Sequence, residues 1–195
     1  MTEFYLIRHG LTEANIKRRY AGRTDYPLLA EGEEELIKRD YGRYRVAQAV
    51  FISPLLRCRM SADIIFPEHE KIVIDDLIEC DFGDFEDKSA DEMKDYEPYR
   101  KWVDSGCTLP FPGGEDVEEF KDRCEGAMKE VIDICRDKGL TKAALVVHGG
   151  VIMSIMERLC TTKLEYYGWH PDNGCGYIVS SGRGYELELV STISF

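Results

Sequence analysis

The sequence predicts an α/β protein, a three-layer sandwich with helices on both faces of a mostly parallel central sheet. Short apolar runs alternate with helical stretches of about 10 to 20 residues, the pattern of strands joined by crossover helices. One exception sits near the end, where Ser181-Gly182-Arg183-Gly184 separates two apolar runs and predicts an antiparallel hairpin.

The strands come first. Phe4-Tyr5-Leu6-Ile7 is a buried run that ends at Arg8-His9-Gly10. Ala47 to Ile52 stops at Ser53-Pro54, and Lys71 to Ile74 is followed by two aspartates. Ala143-Ala144-Leu145-Val146-Val147 stops at His148-Gly149-Gly150, and the hairpin pairs residues 176–180 with 185–190. Helices fall between them. From Glu115 to Asp137, apolar residues at 117, 120, 124, 127, 131 and 134 recur in steps of three and four. Residues 151–160 carry a stripe at 152, 155, 156 and 159, and weaker patterns predict helices over 31–44 and 55–64. No repeat, low-complexity tract or linker interrupts the chain. It reads as one domain over residues 1–195, with 84–114 as a small cap or insert.

Composition narrows the function. The 195 residues are 44% apolar and 32% charged, which excludes a disordered chain, a collagen or a coiled coil. A formal charge of -12 argues against generic nucleic-acid binding and against an anionic membrane surface. An anionic ligand must then be held by a few local cations, because the field of the whole chain repels it. The seven cysteines form no CxxC and no Cys–His spacing that suits a metal. With no secretory signal and no apolar span of about 20 residues, the expectation is reduced thiols, a cytoplasmic location and no metal.

The chemistry gathers at strand ends, where ligands of parallel sheets bind. His9 and His148 each follow a strand and stand beside glycines whose bare backbone welcomes an anion. Arg57 opens a helix after Ser53-Pro54, where the helix dipole disfavours a cation that has no anion to hold. Two histidines and two arginines lack a proton donor. Glu79, after two apolar residues, is the candidate, because a carboxyl in an apolar setting keeps its proton to higher pH. Asp81, Asp84 and Asp87 read as a solvated loop, and His69 as a surface residue.

Together these residues resemble the histidine phosphatase superfamily, also called phosphoglycerate-mutase-like. The matching segments are Leu6 to Asn15, Ser53-Pro54-Leu55-Leu56-Arg57, Glu79 with Phe82-Gly83, Phe111-Pro112-Gly113-Gly114-Glu115 and Val147-His148-Gly149, in family order. The resemblance implies that His9 is a nucleophile forming a phosphohistidine through Nε2, with its Nδ1–H held by the Gly10 carbonyl. It implies that Arg8, Arg57 and His148 clamp phosphoryl oxygens and that Glu79 is the proton donor. Gly10, Asn15, Gly149, Arg23 and Thr24 are expected to touch phosphate or substrate. No metal or other cofactor is implied, and the partner is a small phosphorylated metabolite.

Departures from the family pattern are Leu11 where Glu or Gln is usual, Leu29 and Ser61 where Thr is usual, Asp87 where Gly is usual and Asp116 where Ser is usual, none of them a phosphate ligand. The segment Tyr20 to Leu28 looks most like α-ribazole-5'-phosphate phosphatases and their broad-specificity relatives. The short stretch between Glu79 and Glu115 favours a hydrolase over a phosphoglycerate mutase, which needs more loop to seal out water. A phospho-ligand binding protein without activity is a third reading, disfavoured by the intact set His9, Arg57, Glu79 and His148. Tyr96, Tyr99 and Trp102 are expected to pack a helical pair on the sheet, with a cap that stacks a substrate ring as the alternative. Trp169 and His170 are likewise expected in the core rather than at the rim, and Arg18-Arg19 on a solvated face rather than on a second anion. A homodimer through exposed apolar surface is left open.

Overall fold

A computed structural model describes residues Met1–Phe195. In chain order its elements are β1 (Thr2–Arg8), α1 (Glu13–Ile16), α2 (Ala30–Lys38), β2 (Ala49–Ile52), α3 (Leu56–Ile65) and β3 (Lys71–Val73). They continue with α4 (Ala90–Met93), α5 (Glu97–Asp104), α6 (Val117–Asp137), β4 (Lys142–Val147), α7 (Gly149–Leu159), β5 (Gly176–Ser181) and β6 (Leu187–Ile193).

Six strands form one sheet in the order β3-β2-β4-β1-β5-β6. β1 to β4 run parallel, and β5 turns antiparallel on β1 before β6 pairs with it as the predicted hairpin. β6 lies two to three residues beyond the predicted 185–190, and its pairing with β5 slips by one residue between Ile178 and Val179. The predicted α/β sandwich with a mostly parallel sheet is therefore present.

Strand alternation divides the core in two. Phe4, Leu6, Phe51 and Leu145 face α6 and α7, while Tyr5, Ile7, Val50 and Val146 face α2 and α3. Each fully buried side chain of this size contributes about 1.5–3 kcal/mol. The long helix α6 buries Phe120, Cys124, Ala127 and Val131 of its predicted stripe, leaves Val117 and Ile134 half-buried, and adds Met128, Ile132 and Cys135 to the core. Its N-cap is Asp116, whose carboxylate accepts from the N–H groups of Glu118 and Glu119 at 2.8 and 3.2 Å. Asp116, which stands where Ser is usual in the family pattern, is thus the N-cap of α6.

The helix predicted over 31–44 ends earlier, at Lys38. Beyond it Tyr41 and Tyr44 pack into the α2–α3 side of the core, and the Tyr41 hydroxyl donates to the Gly174 carbonyl at 2.7 Å. Residues 84–114 carry α4 and α5. Trp102 is buried against Tyr20, Phe85, Tyr99 and Phe111, and its indole N–H donates to the Leu109 carbonyl at 3.0 Å. No helix is long and apolar enough to cross a membrane.

Candidate active site

The loops that leave β1, β2 and β4 meet beyond the carboxyl ends of those strands. His9 follows β1 directly, and its N–H is fixed by the Val147 carbonyl of the neighbouring strand at 2.9 Å. Its ring Nδ1 lies 2.7 Å from the Gly10 carbonyl, which only accepts, so Nδ1 carries the proton and the Nε2 lone pair is left open. Burial first, then the nearby Arg57 and Arg8 cations, hold His9 neutral to well below its ordinary value.

Glu79 faces the same cavity and is only 8% exposed. Burial raises its carboxyl above the ordinary range, against hydrogen bonds from the N–H groups of Cys80 and Gly150, each at 3.0 Å, and the pull of Arg57 and Arg8. Gly150 is the second residue of α7, so this carboxyl sits on an otherwise unpaired N–H at a helix N-terminus. A side chain at 150 would occupy the space the carboxyl fills, which is why the backbone there is bare.

Arg57 and His148 are buried as one unit. Arg57 Nε donates to His148 Nδ1 at 3.2 Å, and His148 Nε2 lies 2.7 Å from the Ser53 hydroxyl. The Arg57 guanidinium also donates to the carbonyls of Ala21, Gly22 and Thr24, each at 3.0 Å. One Nη1 hydrogen is left without a protein acceptor. Burial, then Arg57 and His9, keep His148 neutral. The His9 and His148 rings meet edge to face at 5.3 Å. Arg8 bridges to the Pro171 carbonyl at 2.8 Å and lies 3.2 Å from His170 Nε2, while its buried Nε has no protein partner.

Asn15 lines the cavity too. Its amide oxygen accepts from the Thr12 N–H and hydroxyl and from Asn173, which leaves its NH2 as the free end. Gly10 and Gly149 stand beside these groups. Gly10 donates its N–H to the Ser61 hydroxyl at 2.9 Å, and Ser61 donates onward to the Arg57 carbonyl at 2.6 Å. The departure from Thr to Ser at 61 keeps that hydroxyl.

Five of the expected site residues do not line the cavity: Gly10, Arg57 and His148 are buried behind its wall, and Arg23 and Thr24 are turned elsewhere. The Thr24 hydroxyl and both backbone N–H groups turn to Glu86, and the Arg23 guanidinium lies 3.8 Å from Asp81 and from Glu115. The loop is ordered by carboxylates rather than by an open anion site. His170, expected in the core, instead reaches the cavity beside Arg8, whereas Trp169 is buried as expected. Tyr96 turns away and donates to Asp84 at 3.0 Å. Arg18 and Arg19 stand at the cavity rim, and Arg19 is held by Asp87 and Glu92.

Sequence reasoning passed over Asn173 and Glu86. Asn173 donates to the carbonyls of His9 and Gly10 at 3.1 and 3.2 Å as well as to Asn15. It arrives from the turn before β5, far along the chain, and nothing local in Pro171-Asp172-Asn173-Gly174 marks it. Glu86 is one of several acidic residues in its loop, and only its bonding sets it apart.

The cavity measures about 410 Å³. Arg8, His9, Asn15 and Glu79 occupy its polar part, and Phe82, Trp102, Phe111, Phe120 and Met153 form an apolar wall.

The model of the histidine phosphatase superfamily (branch 1) matches residues 4–191. The chain belongs to that superfamily. Among histidine phosphatases, the uncharacterized phosphatase PhoE of Bacillus subtilis (strain 168) is 31% identical over 180 residues, 90% of this chain and 86% of that protein. The probable phosphoglycerate mutase GpmB of Salmonella paratyphi C (strain RKS4594) is 30% identical over 154 residues, 76% of this chain and 70% of that one. The crystal structure of the alpha-ribazole phosphatase from Shigella flexneri superposes with a TM-score of 0.81 at 25% identity, over 99% of this chain and 96% of that chain. The architecture is thus phosphoglycerate-mutase-like, and the superfamily's phosphatase or mutase chemistry on small phosphorylated substrates applies to this chain.

Proposed function

We propose that this histidine phosphatase is a metal-independent phosphomonoesterase that works through a phosphohistidine on His9. The observation that carries the reading is the paired state of two buried groups at one cavity. His9 is neutral with Nε2 open, and Glu79 keeps its proton above the ordinary carboxyl range. Nε2 attacks phosphorus in line, the P–O bond to the leaving alcohol breaks, and Glu79 delivers its proton to the departing oxygen. Glu79, now a carboxylate, takes a proton from water as that water attacks phosphorus and the P–N bond breaks. Arg8 and the Asn15 amide stabilise the charge on the non-bridging oxygens, the Arg57 guanidinium adds positive charge from behind the cavity wall, and His148, neutral with both ring nitrogens engaged, holds Arg57 in place. Arginine side chains supply the positive charge that a metal ion supplies in other phosphoryl-transfer sites.

The short stretch between Glu79 and Glu115 favours hydrolysis over the mutase reading, and the cavity, with Arg18 and Arg19 at its rim, has an apolar wall of Phe82, Trp102, Phe111, Phe120 and Met153. This wall suits an alcohol with an apolar or aromatic body, and α-ribazole-5'-phosphate is the first such ester to try. Seven unpaired cysteines fit a reducing, cytoplasmic setting.

The test compares wild type and His9→Ala on α-ribazole-5'-phosphate, 3-phosphoglycerate and p-nitrophenyl phosphate in EDTA, with trapping of an acid-labile phosphoenzyme. Hydrolysis that depends on His9 and persists in EDTA is expected. Equal rates in the two proteins refute the phosphatase reading, and isomerisation of 3-phosphoglycerate above its hydrolysis rate, with 2,3-bisphosphoglycerate present, makes the chain a mutase.

A further inference from the structure

Glu86 lies on the opposite side of the Ala21–Thr24 loop from Arg57. Its carboxylate accepts from the N–H groups of Gly22, Arg23, Thr24 and Phe82, at 2.9 to 3.2 Å, and from the Thr24 hydroxyl at 2.7 Å. On the other side of the loop, the Ala21, Gly22 and Thr24 carbonyls accept from Arg57. Two peptide units do both tasks. The peptide joining Ala21 to Gly22 gives its N–H to Glu86 and its C=O to Arg57 Nη2, and the peptide joining Gly22 to Arg23 does the same.

An amide whose N–H is bonded to a carboxylate is polarised, and its oxygen becomes a stronger acceptor for a cation. Carboxylate and guanidinium are therefore coupled through two peptide dipoles without touching, and no carboxylate pairs directly with Arg57. The arrangement solves a problem specific to this site. A direct ion pair would cancel the charge that a phosphoryl group needs and compete for the same hydrogens. Carbonyl oxygens hold the guanidinium in place and leave its charge available. The path also demands a bare backbone, because a Cβ on Gly22 would collide with the Cys80 carbonyl and crowd Glu86.

We infer that Glu86 is the positioning residue for Arg57, acting through the Ala21–Gly22 and Gly22–Arg23 peptides to set the affinity of the site for a phosphoryl group. The inference rests on the phosphatase reading for its catalytic meaning, though not for its binding test.

A double-mutant cycle tests it, with Glu86→Gln, Arg57→Ala and the pair, read by inorganic phosphate binding in a calorimeter, by kcat/KM on p-nitrophenyl phosphate, and by Tm. Gln keeps the shape of Glu and loses its charge, and its NH2 points a donor at donors. Glu86→Gln is expected to weaken phosphate about 10-fold or more, the scale of hydrogen bonds to a charged group. In the Arg57→Ala background the same change is expected to alter phosphate affinity by less than about 3-fold, because the group it acts through is gone. Glu86→Asp, which keeps the charge, is expected to recover most of the loss. Multiplying losses in the double variant, or wild-type affinity in Glu86→Gln, overturn the inference. If Glu86→Gln does not fold, Thr24→Val removes one donor to Glu86 and leaves the backbone. It is expected to weaken phosphate about 3-fold with Arg57 present and not at all without it, and equal effects in both backgrounds overturn the inference. Failure of the phosphatase reading shows separately, as equal turnover by wild type and His9→Ala.

Discussion

Gly150→Ala separates the placement of Glu79 from the stability of the fold. A Cβ at 150 would stand 3.0 Å from Glu79 Cδ and nearer still to Oε1, whereas ordinary contact begins at 3.4 Å. The helix is fixed by its packing in the core, so the carboxyl is the part that moves, by about 1 Å, and its hydrogen bond from the Gly150 N–H is lost. A displacement of about 1 Å at a reacting group costs on the order of 100-fold in rate. Alanine at this helical position also recovers about 0.5–1 kcal/mol of backbone entropy that glycine forfeits. The expected result is a fall of about 100-fold in kcat/KM with Tm unchanged or slightly raised. The loss should be larger for an alkyl phosphate, whose alkoxide needs a proton, than for p-nitrophenyl phosphate, whose phenolate leaves without one. Activity within about 3-fold of wild type, alongside a large loss in Glu79→Gln, would refute the idea that Gly150 places the carboxyl.

The raised carboxyl of Glu79 predicts an alkaline limb in kcat/KM, with the rate falling as pH climbs through that raised value. In Glu79→Gln this limb should vanish while the maximum rate drops about 100-fold, and a limb that persists unchanged assigns it to another group. His9 and His148 are held neutral well below 6.5, so the unfolded chain takes up protons there that the native state does not. Their contribution to stability is complete above about pH 6.5 and is lost below it, by about 1.4 kcal/mol per pH unit for each ring. Urea midpoints should be measured in Glu79→Gln, where the opposing proton uptake of Glu79 is absent, and a midpoint flat from about pH 7.5 to 5.5 contradicts the buried neutral state. Asn173→Ala removes one donor from three acceptors around His9. It should cost about 1–3 kcal/mol in urea unfolding and slow turnover, and unchanged values in both measurements would leave Asn173 without a role.

Much of this was legible in the sequence because the signals are local. The Arg8-His9-Gly10 and His148-Gly149-Gly150 strand ends sit where the pattern of apolar runs puts them, and the α6 stripe locates its buried face through Phe120, Cys124, Ala127 and Val131. Helix ends read less well. Tyr41 and Tyr44 extend the apolar pattern after Lys38, yet they enter the core from irregular backbone, and periodicity does not tell the two apart. What stayed hidden depends on residues far apart in sequence. Asn173 reaches His9 across 164 residues, and Glu86 reaches Gly22 across 64. Arg23 and Thr24 were misread for the same reason, since their partner carboxylate lies 63 and 62 residues away. Asp87 illustrates a third case. It adopts a positive φ of 58°, a conformation that glycine takes freely and Asp tolerates, so a departure that looks chemical in the sequence is conformational in the fold.

The place of β1 in the sheet governs how the enzyme comes into being. β1, made before the other five strands of this sheet, lies between β4 and β5, the fourth and fifth to be made, both beyond residue 141. Until they emerge, β1 has no neighbour on either side, and the His9 loop lacks the Val147 carbonyl and the Asn173 amide that fix it. Chains that end before about residue 141 therefore leave β1 with two open edges and those that end before about residue 175 leave it with one, a template for aggregation, and neither holds the His9 loop with the Asn173 amide that fixes it in the full sheet. The site around His9 is complete only once β5 has paired with β1 and brought Asn173 with it.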